Sequence, residues 1–473
     1  MAIARSSPEN LNRLPLVIEP DNRDTTTNKD ARLVNSYMET AKSLGQDGKP
    51  RLETHIYKRP GLLLSSQPSG GAATGRGVYN WKGDIYSIFG TTLYKNGVSK
   101  GTVDGTNGVY KFSSTLGATP RLQLGNGVKA YNYDDGAGLV LINDVDFPAA
   151  FVKGWAYLDQ TTYVMDAKAN IQGSGLNDTV NWDPLNTLQA QIEPDGGVAL
   201  GKQLVNVIAI KQWTTEVFYD AGNATGSPLG RVPGAKANVG GLAADSVQDV
   251  DGVLVWMATS RTGTFSVVQM DNLKVHTLST KPVERLLDGI DTTTIFSWQL
   301  KVGQHRFYGL TSKVGNLTLV LDMTERMWSQ WTDSSGNYFP IVASAVDANM
   351  NHLMQHESNG KLYTTLQSLT NDDGTVFPVD VYTPNYDAGV RRRKFLSAME
   401  FIGDQTTGST LYVRKSDDDY RTWSNFRSVD MGLRRPFLNN CGSFYTRAHH
   451  FRHRSNTTFR LQAVELQQGV GSL

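Results

Sequence analysis

The chain has one cysteine, Cys441, in 473 residues. That excludes an intramolecular disulfide and a thiolate metal site, and suits assembly in a reducing compartment. Charge is sparse: Asp, Glu, Lys and Arg make up 19% of the chain, against roughly 25% in an average soluble domain. With 46 Lys and Arg against 45 Asp and Glu, the net charge of +1 excludes a general coat for polyanions. No apolar run approaches the roughly 18 residues of a membrane-spanning helix, so no membrane insertion is expected. The first ten residues hold no apolar core, so no secretory leader is expected either. A Gly-Lys-Ser/Thr phosphate loop is missing as well.

What remains is rich in glycine (46 residues) and aromatics (10%), the composition of short strands joined by tight turns. From Val78 the chain reads strand, turn, strand: Val78-Tyr79-Asn80-Trp81, Lys82-Gly83-Asp84, Ile85 to Phe89, then Thr92-Leu93-Tyr94 before Asn96-Gly97. Asn-Gly between such runs is the strongest short hairpin signal. The texture returns near Arg121, Phe151, Val198, Val250, Ile295 and Ile341. Its spacing settles in the range of four-stranded propeller blades. Thr92-Leu93-Tyr94, Glu216-Val217-Phe218-Tyr219 and Lys361-Leu362-Tyr363 echo one another as ends of inner strands. One helix is expected over Ser279–Gly289, with a capping hydroxyl, Pro282 in its first turn and a terminal glycine.

The fold class is therefore all-β, with a propeller body of about six or seven irregular blades. Residues 1–60, polar over Asp21–Asp30 and broken by Pro15, Pro20 and Pro50, read as an extended N-terminal assembly arm. Residues 61–375 are the propeller, and 376–473 a β-sandwich-like region.

Motifs with chemistry are few. Gly97-Val98-Ser99-Lys100-Gly101 has the nucleophile-elbow pattern, but a hairpin turn precedes it and no helix follows, so Ser99 is not assigned a role. His352 and His356 have zincin spacing without the glutamate, and His449, His450 and His453 stand among arginines. No metal, cofactor or catalytic residue is assigned. Ser416-Asp417-Asp418-Asp419-Tyr420-Arg421-Thr422-Trp423 resembles the Asp-box turn of sialidases, with Tyr420 in place of glycine. A propeller glycosidase, sialidase-like or acting on capsular polysaccharide, and a carbohydrate-binding propeller are the alternative functions.

Charge is unevenly spread. Residues 380–473 carry 14 Lys and Arg against 9 Asp and Glu, and residues 61–379 carry 22 against 28. The densest cluster is Arg391, Arg392, Arg393 and Lys394. It is a contact candidate for an acidic protein surface or for DNA phosphates, without sequence specificity.

The order of features resembles the tail-hub (nozzle), or packaged-DNA stabilisation, proteins of short-tailed bacteriophages. The stretches that carry the likeness are Arg32-Leu33-Val34-Asn35, Tyr57-Lys58-Arg59-Pro60-Gly61-Leu62, Gly77-Val78-Tyr79-Asn80, Glu193-Pro194-Asp195-Gly196, Trp213 to Tyr219, and Ala221 to Gly241. The resemblance implies a homohexameric ring in the virion tail, assembled in the host cytoplasm. It would close the head, retain the packaged DNA and form the ejection channel. Implied partners are portal and adaptor proteins, tail needle, spike or fibre proteins, and double-stranded DNA. Arg32, Asn35, Lys58 and Arg59 join the basic cluster as assembly-contact candidates.

Overall fold

The computed structural model of the chain describes residues 11–16, 30–44 and 50–471. Six blades, each a sheet four strand positions deep, follow one another over 75–102, 111–141, 156–189, 197–231, 240–277 and 295–330. Each is an antiparallel meander, and in the fifth two short segments, Gly240–Gly241 and Gln248–Val250, share the innermost position. The seventh sheet takes three strands from 341–366 and its outermost strand, Gly61–Ser66, from far upstream. This borrowed strand ties the beginning of the propeller to its end.

Propeller closure shows equally in the cores. One apolar cluster fills each junction between neighbouring blades. Trp81, Ile88 and Leu124 lie between the first and second, Val255, Leu310 and Trp328 between the fifth and sixth, and Val78, Phe89 and Leu362 between the seventh and first. Turn chemistry matches the residues: Asn96 (φ 48°) and Gly97 (φ 83°) form the left-handed pair that a tight hairpin needs. Gly309 lies directly opposite Trp298, and a Cβ there would stand 2.1 Å from the indole, so only glycine lets the ring lie flat across the sheet.

Beside the propeller stands a β-sandwich built from both ends of the chain. One sheet runs Ser36–Leu44, Pro50–Lys58, Arg460–Val470, Lys394–Gly403, Phe437–Phe444, with Leu11–Arg13 also on Arg460–Val470. The other runs Arg32–Val34, Val379–Tyr382, Ala448–His453, Thr410–Ser416, Arg427–Asp430. Leu33, Val381, Leu411 and Phe451 of the second sheet pack on Ile56, Met399, Leu461 and Leu466 of the first. The second sheet is continuous with the sixth blade, because Val34 pairs in parallel with Gln330 of that blade's outer strand.

This differs from the expected arm. Residues 30–44 and 50–58 pair within the chain itself, register running Ser36↔Lys58 to Leu44↔Pro50. The reading failed because it weighed the polar stretch and the prolines. The flanking Ser36-Tyr37-Met38 and Thr54-His55-Ile56-Tyr57 supply the buried residues Tyr37 and Ile56. The parts of the arm over 1–10, 17–29 and 45–49 lie outside the described residues. The three echoes are also reassigned: Thr92–Lys95, Thr215–Asp220 and Leu362–Leu366 are each the third strand of their blade, not the innermost. The helix forms over Lys281–Leu287, but its N-cap Thr280 makes no side-chain capping bond. Ser279 instead binds the helix through Glu284, Oγ to Oε1 at 3.3 Å.

Candidate assembly site

Two of the stretches singled out in the sequence meet where the propeller joins the sandwich. Asn35 adopts φ 53° at the bend between Arg32–Val34 and Ser36–Leu44. Its amide nitrogen donates to Thr332 Oγ1 at 2.7 Å and Pro378 O at 2.8 Å, and its oxygen accepts from Thr332 N at 2.8 Å and Arg59 Nε at 2.9 Å. Every polar atom of that side chain is used. Arg59, 1% exposed, completes the knot. Its guanidinium forks onto Asp372 at 2.6 and 3.0 Å, donates to Pro60 O and Thr332 O at 3.0 Å each, and lies 3.6 Å from the centre of the Phe377 ring.

Lys58 projects over the same Phe377 and donates to Ser455 O at 3.2 Å. Burial and the neighbouring Arg59 hold its ammonium down to about 8. Arg32 stacks 4.1 Å above the Tyr382 ring. Asn35, Lys58 and Arg59 are therefore buried within one chain, and their first task is to weld propeller to sandwich. They do not present an open surface to another molecule. That corrects their standing as contact candidates, and the cause is plain: sequence shows a charge but not the blade folded over it.

The second group divides. Arg391, Arg392 and Arg393 are exposed, with only Arg393 tethered, Nε to Ser443 Oγ at 3.1 Å. Among the described residues no carboxylate pairs with them. Exposed Val390, Phe395, Tyr445 and Val470 belong to the same end of the sandwich. Lys394, by contrast, is fully buried, donating to Val390 O and to Tyr445 O, the latter at 2.7 Å. Burial lowers its pKa, so it is a structural lysine and leaves the cluster as a three-arginine patch.

Glu193-Pro194-Asp195-Gly196 and Trp213 to Tyr219 form another internal knot, in the fourth blade. Lys211 reaches Asp195 at 2.9 Å and Glu216 at 2.8 Å, with all three side chains at 0% exposure. Asp195 accepts from the backbone of Trp213 and Thr214, and Glu216 accepts from Arg231 Nε at 3.0 Å. No substrate can reach these groups.

The propeller axis is obstructed. Lys153 bridges to Asp245 at 2.6 Å, and Lys111 donates across the centre to Val247 O at 3.0 Å. Lys153 lines one axial cavity of about 390 Å³, with Phe112, Trp155 and Tyr157; Asp245 lines another of about 220 Å³, with Arg76, Val109 and Phe296.

Ser99 lies exposed on the strand Val98–Thr102, opposite Tyr94 in a hairpin. His352 and His356 are both depressed by burial, the latter to about 4, on one strand. Among the described residues no group of His, Cys, Asp and Glu is arranged to hold a metal, and no helix is long and apolar enough to cross a membrane. The Asp-box-like turn lies in the sandwich, not on a blade. Asp418 accepts from Thr422 N at 2.9 Å and Thr422 Oγ1 at 2.5 Å, Asp417 holds Arg447, and Tyr420 takes φ 64° where a glycine is usual. The turn is braced from outside as well, Asn385 Nδ2 donating to Asp419 at 2.7 Å and the Tyr420 hydroxyl to Thr383 O at 2.7 Å.

Among solved structures the chain is similar to a streptogramin B lyase, at 8% identity and TM-score 0.40 over 70% of this chain and 97% of that one. It is also similar to the extracellular domain of a hybrid two component system from B. thetaiotaomicron, at 10% identity and TM-score 0.44 over 85% of this chain and 58% of that one. No curated protein sequence matches. The phage stabilisation family model described as bacteriophage P22 Gp10, beta-propeller, matches residues 26–338. Since that match runs from the segment that welds the two modules through the sixth blade, the chain belongs to this phage family.

Proposed function

We propose that the protein is a hub, or nozzle, of a short-tailed phage tail: a structural part of the virion that closes the head, retains the packaged DNA and surrounds its exit path. Family membership over residues 26–338 carries the reading. The obstructed axis adds a constraint. Because Lys153 and Asp245 bridge the centre of the propeller, a duplex must run between copies, not through one. That calls for a ring, for which six copies are proposed. The rigid weld at Arg59 fixes the angle between modules, as a ring subunit needs.

Portal and adaptor proteins would lie on one side of the ring, and needle, spike or fibre proteins on the other. The exposed Arg391, Arg392 and Arg393, among apolar neighbours, would serve a protein joint, guiding encounter and register. Particles produced without this chain test the reading. They should package DNA and then lose it, and purified chain added back should restore retention. Stable, infectious particles lacking the chain would refute it.

A further inference from the structure

Along the open edge of the sandwich, three cations converge on one kink: Lys415 and Arg427 from two strands, and Arg447 from the residue just before Ala448–His453. The kink is in Phe437–Phe444, where Asn440 (φ 57°) and Gly442 (φ 78°) interrupt the ladder to Lys394–Gly403. Lys415 Nζ donates to Cys441 O at 3.1 Å, and Arg447 Nη1 to the same oxygen at 2.6 Å. Arg427 donates to Asn439 O at 2.6 Å and Asn440 O at 3.2 Å. Carbonyl partners fix the positions of these side chains, and among the described residues no carboxylate pairs with Lys415 or Arg427. Among the described residues the one carboxylate paired with any of the three is Asp417, on Arg447.

The three side chains line a cleft of about 40 Å³ together with His449 and Ser424. His449 is 2% exposed, and its Nδ1 finds no hydrogen-bond partner among the described residues. An unpaired buried donor or acceptor costs roughly 1–3 kcal/mol and calls for a partner. Burial and the neighbouring Arg447 also depress the Lys415 ammonium, and Asp417 offsets this only in part.

We propose that this cleft binds a phosphate group. Lys415 and Arg427 spend only part of their N–H donors on the carbonyls, and the donors left over suit a phosphate group, whose non-bridging oxygens can accept from both. The inner space admits one corner of such a group. The rest lies at the mouth, where Arg427 and Ser424 are exposed. The phosphate comes either from free ion or from a nucleic-acid backbone passing this edge. The site is independent of the ring proposed above.

Inorganic phosphate titrated calorimetrically into the full chain, against sodium chloride at matched ionic strength, tests this. Arg427→Gln and Lys415→Met should each weaken phosphate about tenfold or more. Arg427 is exposed, so its variant should keep the parent melting temperature and decides alone if Lys415→Met does not fold. A short DNA duplex forms the second arm. Loss of duplex affinity in the same variants assigns the source to backbone phosphate, and loss for free phosphate alone assigns it to the ion. Unchanged phosphate binding in Arg427→Gln, an equal response to chloride, or cleft-dependent binding of a glutamate-rich peptide without phosphate binding would overturn the proposal.

Discussion

Arg59 and Asp372 are 313 positions apart in sequence and joined by two hydrogen bonds, Nη2 to Oδ2 at 2.6 Å and Nη1 to Oδ1 at 3.0 Å. The pair sits where the chain leaves the sandwich to supply the closing strand Gly61–Ser66 of the seventh blade. One contact thus holds the ring of blades shut and the sandwich in place.

Removing the guanidinium strands Asp372 and the acceptors around it. Breaking a buried pair by deleting one partner costs about 3–5 kcal/mol. Arg59→Met should lower stability by that order in urea denaturation. Arg59→Lys should recover little, because a point charge cannot make the fork or lie flat on Phe377. A loss under 1 kcal/mol in Arg59→Met would show the weld to be incidental.

The fourth-blade knot responds to the same logic. Lys211→Met leaves Asp195 and Glu216 facing each other with no ammonium between them. The expected loss is again about 3–5 kcal/mol, from the uncompensated buried charge. Adding Asp195→Asn and Glu216→Gln to Lys211→Met should return part of it. A triple variant no more stable than the single one would contradict this account of the knot.

Deletion of residues 1–60 removes Arg32–Val34, Ser36–Leu44 and Pro50–Lys58 from the two sandwich sheets. The truncated chain should expose Phe401, Leu461 and Leu466, now buried, and aggregate. Size-exclusion chromatography with a hydrophobic dye reads this directly. A monodisperse truncated chain would mean that the strands are dispensable.

Acid acts on the sandwich through its histidines. Burial holds His449 and His453 near 3, and His450 near 4 despite the Asp380 carboxylate beside it. The unfolded chain, with values near 6.5, binds more protons than the folded one between about pH 6.5 and 3. Their contribution is complete above that window and is lost as pH falls through it. His305 acts in the opposite sense. Burial pulls it down, but Asp322 at 2.6 Å outweighs this and raises it, so its stabilisation is present in acid and fades as pH rises. Melting curves from pH 7 to 5 should show the sandwich weakening, and His449→Gln should flatten the trend.

Much of the fold was legible in sequence because turns announce themselves. Asn96, Gly97 and Gly83 take the left-handed conformations that their residue types favour, Lys82 is carried into one beside Gly83, and strands follow from the turns. What could not be seen was pairing across long separations. Nothing local in Gly61-Leu62-Leu63-Leu64 says that it completes a sheet begun 280 residues later, nor in Ser36–Leu44 that it belongs beside the C-terminus. The site was misread for the same reason. Lys394 is adjacent to three exposed arginines, yet strand alternation turns it into the core. Lys415, Arg427 and Arg447 are scattered in sequence, and only the sheets bring them to one kink.

The exposed arginines test the proposed joint without touching the weld. Arg391→Glu, Arg392→Glu and Arg393→Glu together should leave melting within the small range of surface changes, roughly 0.5 kcal/mol per substitution. Lys394 must stay, since a carboxylate in its buried place would unfold the strand. The triple variant should fail to join rings or heads in sedimentation. Full assembly would return the patch to ordinary solvated surface.

The central claim is that several copies enclose a path that one copy cannot provide. Single-particle imaging of the tail, with the mass of the isolated assembly, tests it most directly. The account predicts a closed ring, six copies in the proposed form, with DNA density between protomers and each propeller centre blocked at Lys153 and Asp245. DNA density threading an individual propeller, or one lone copy on the tail, would contradict it.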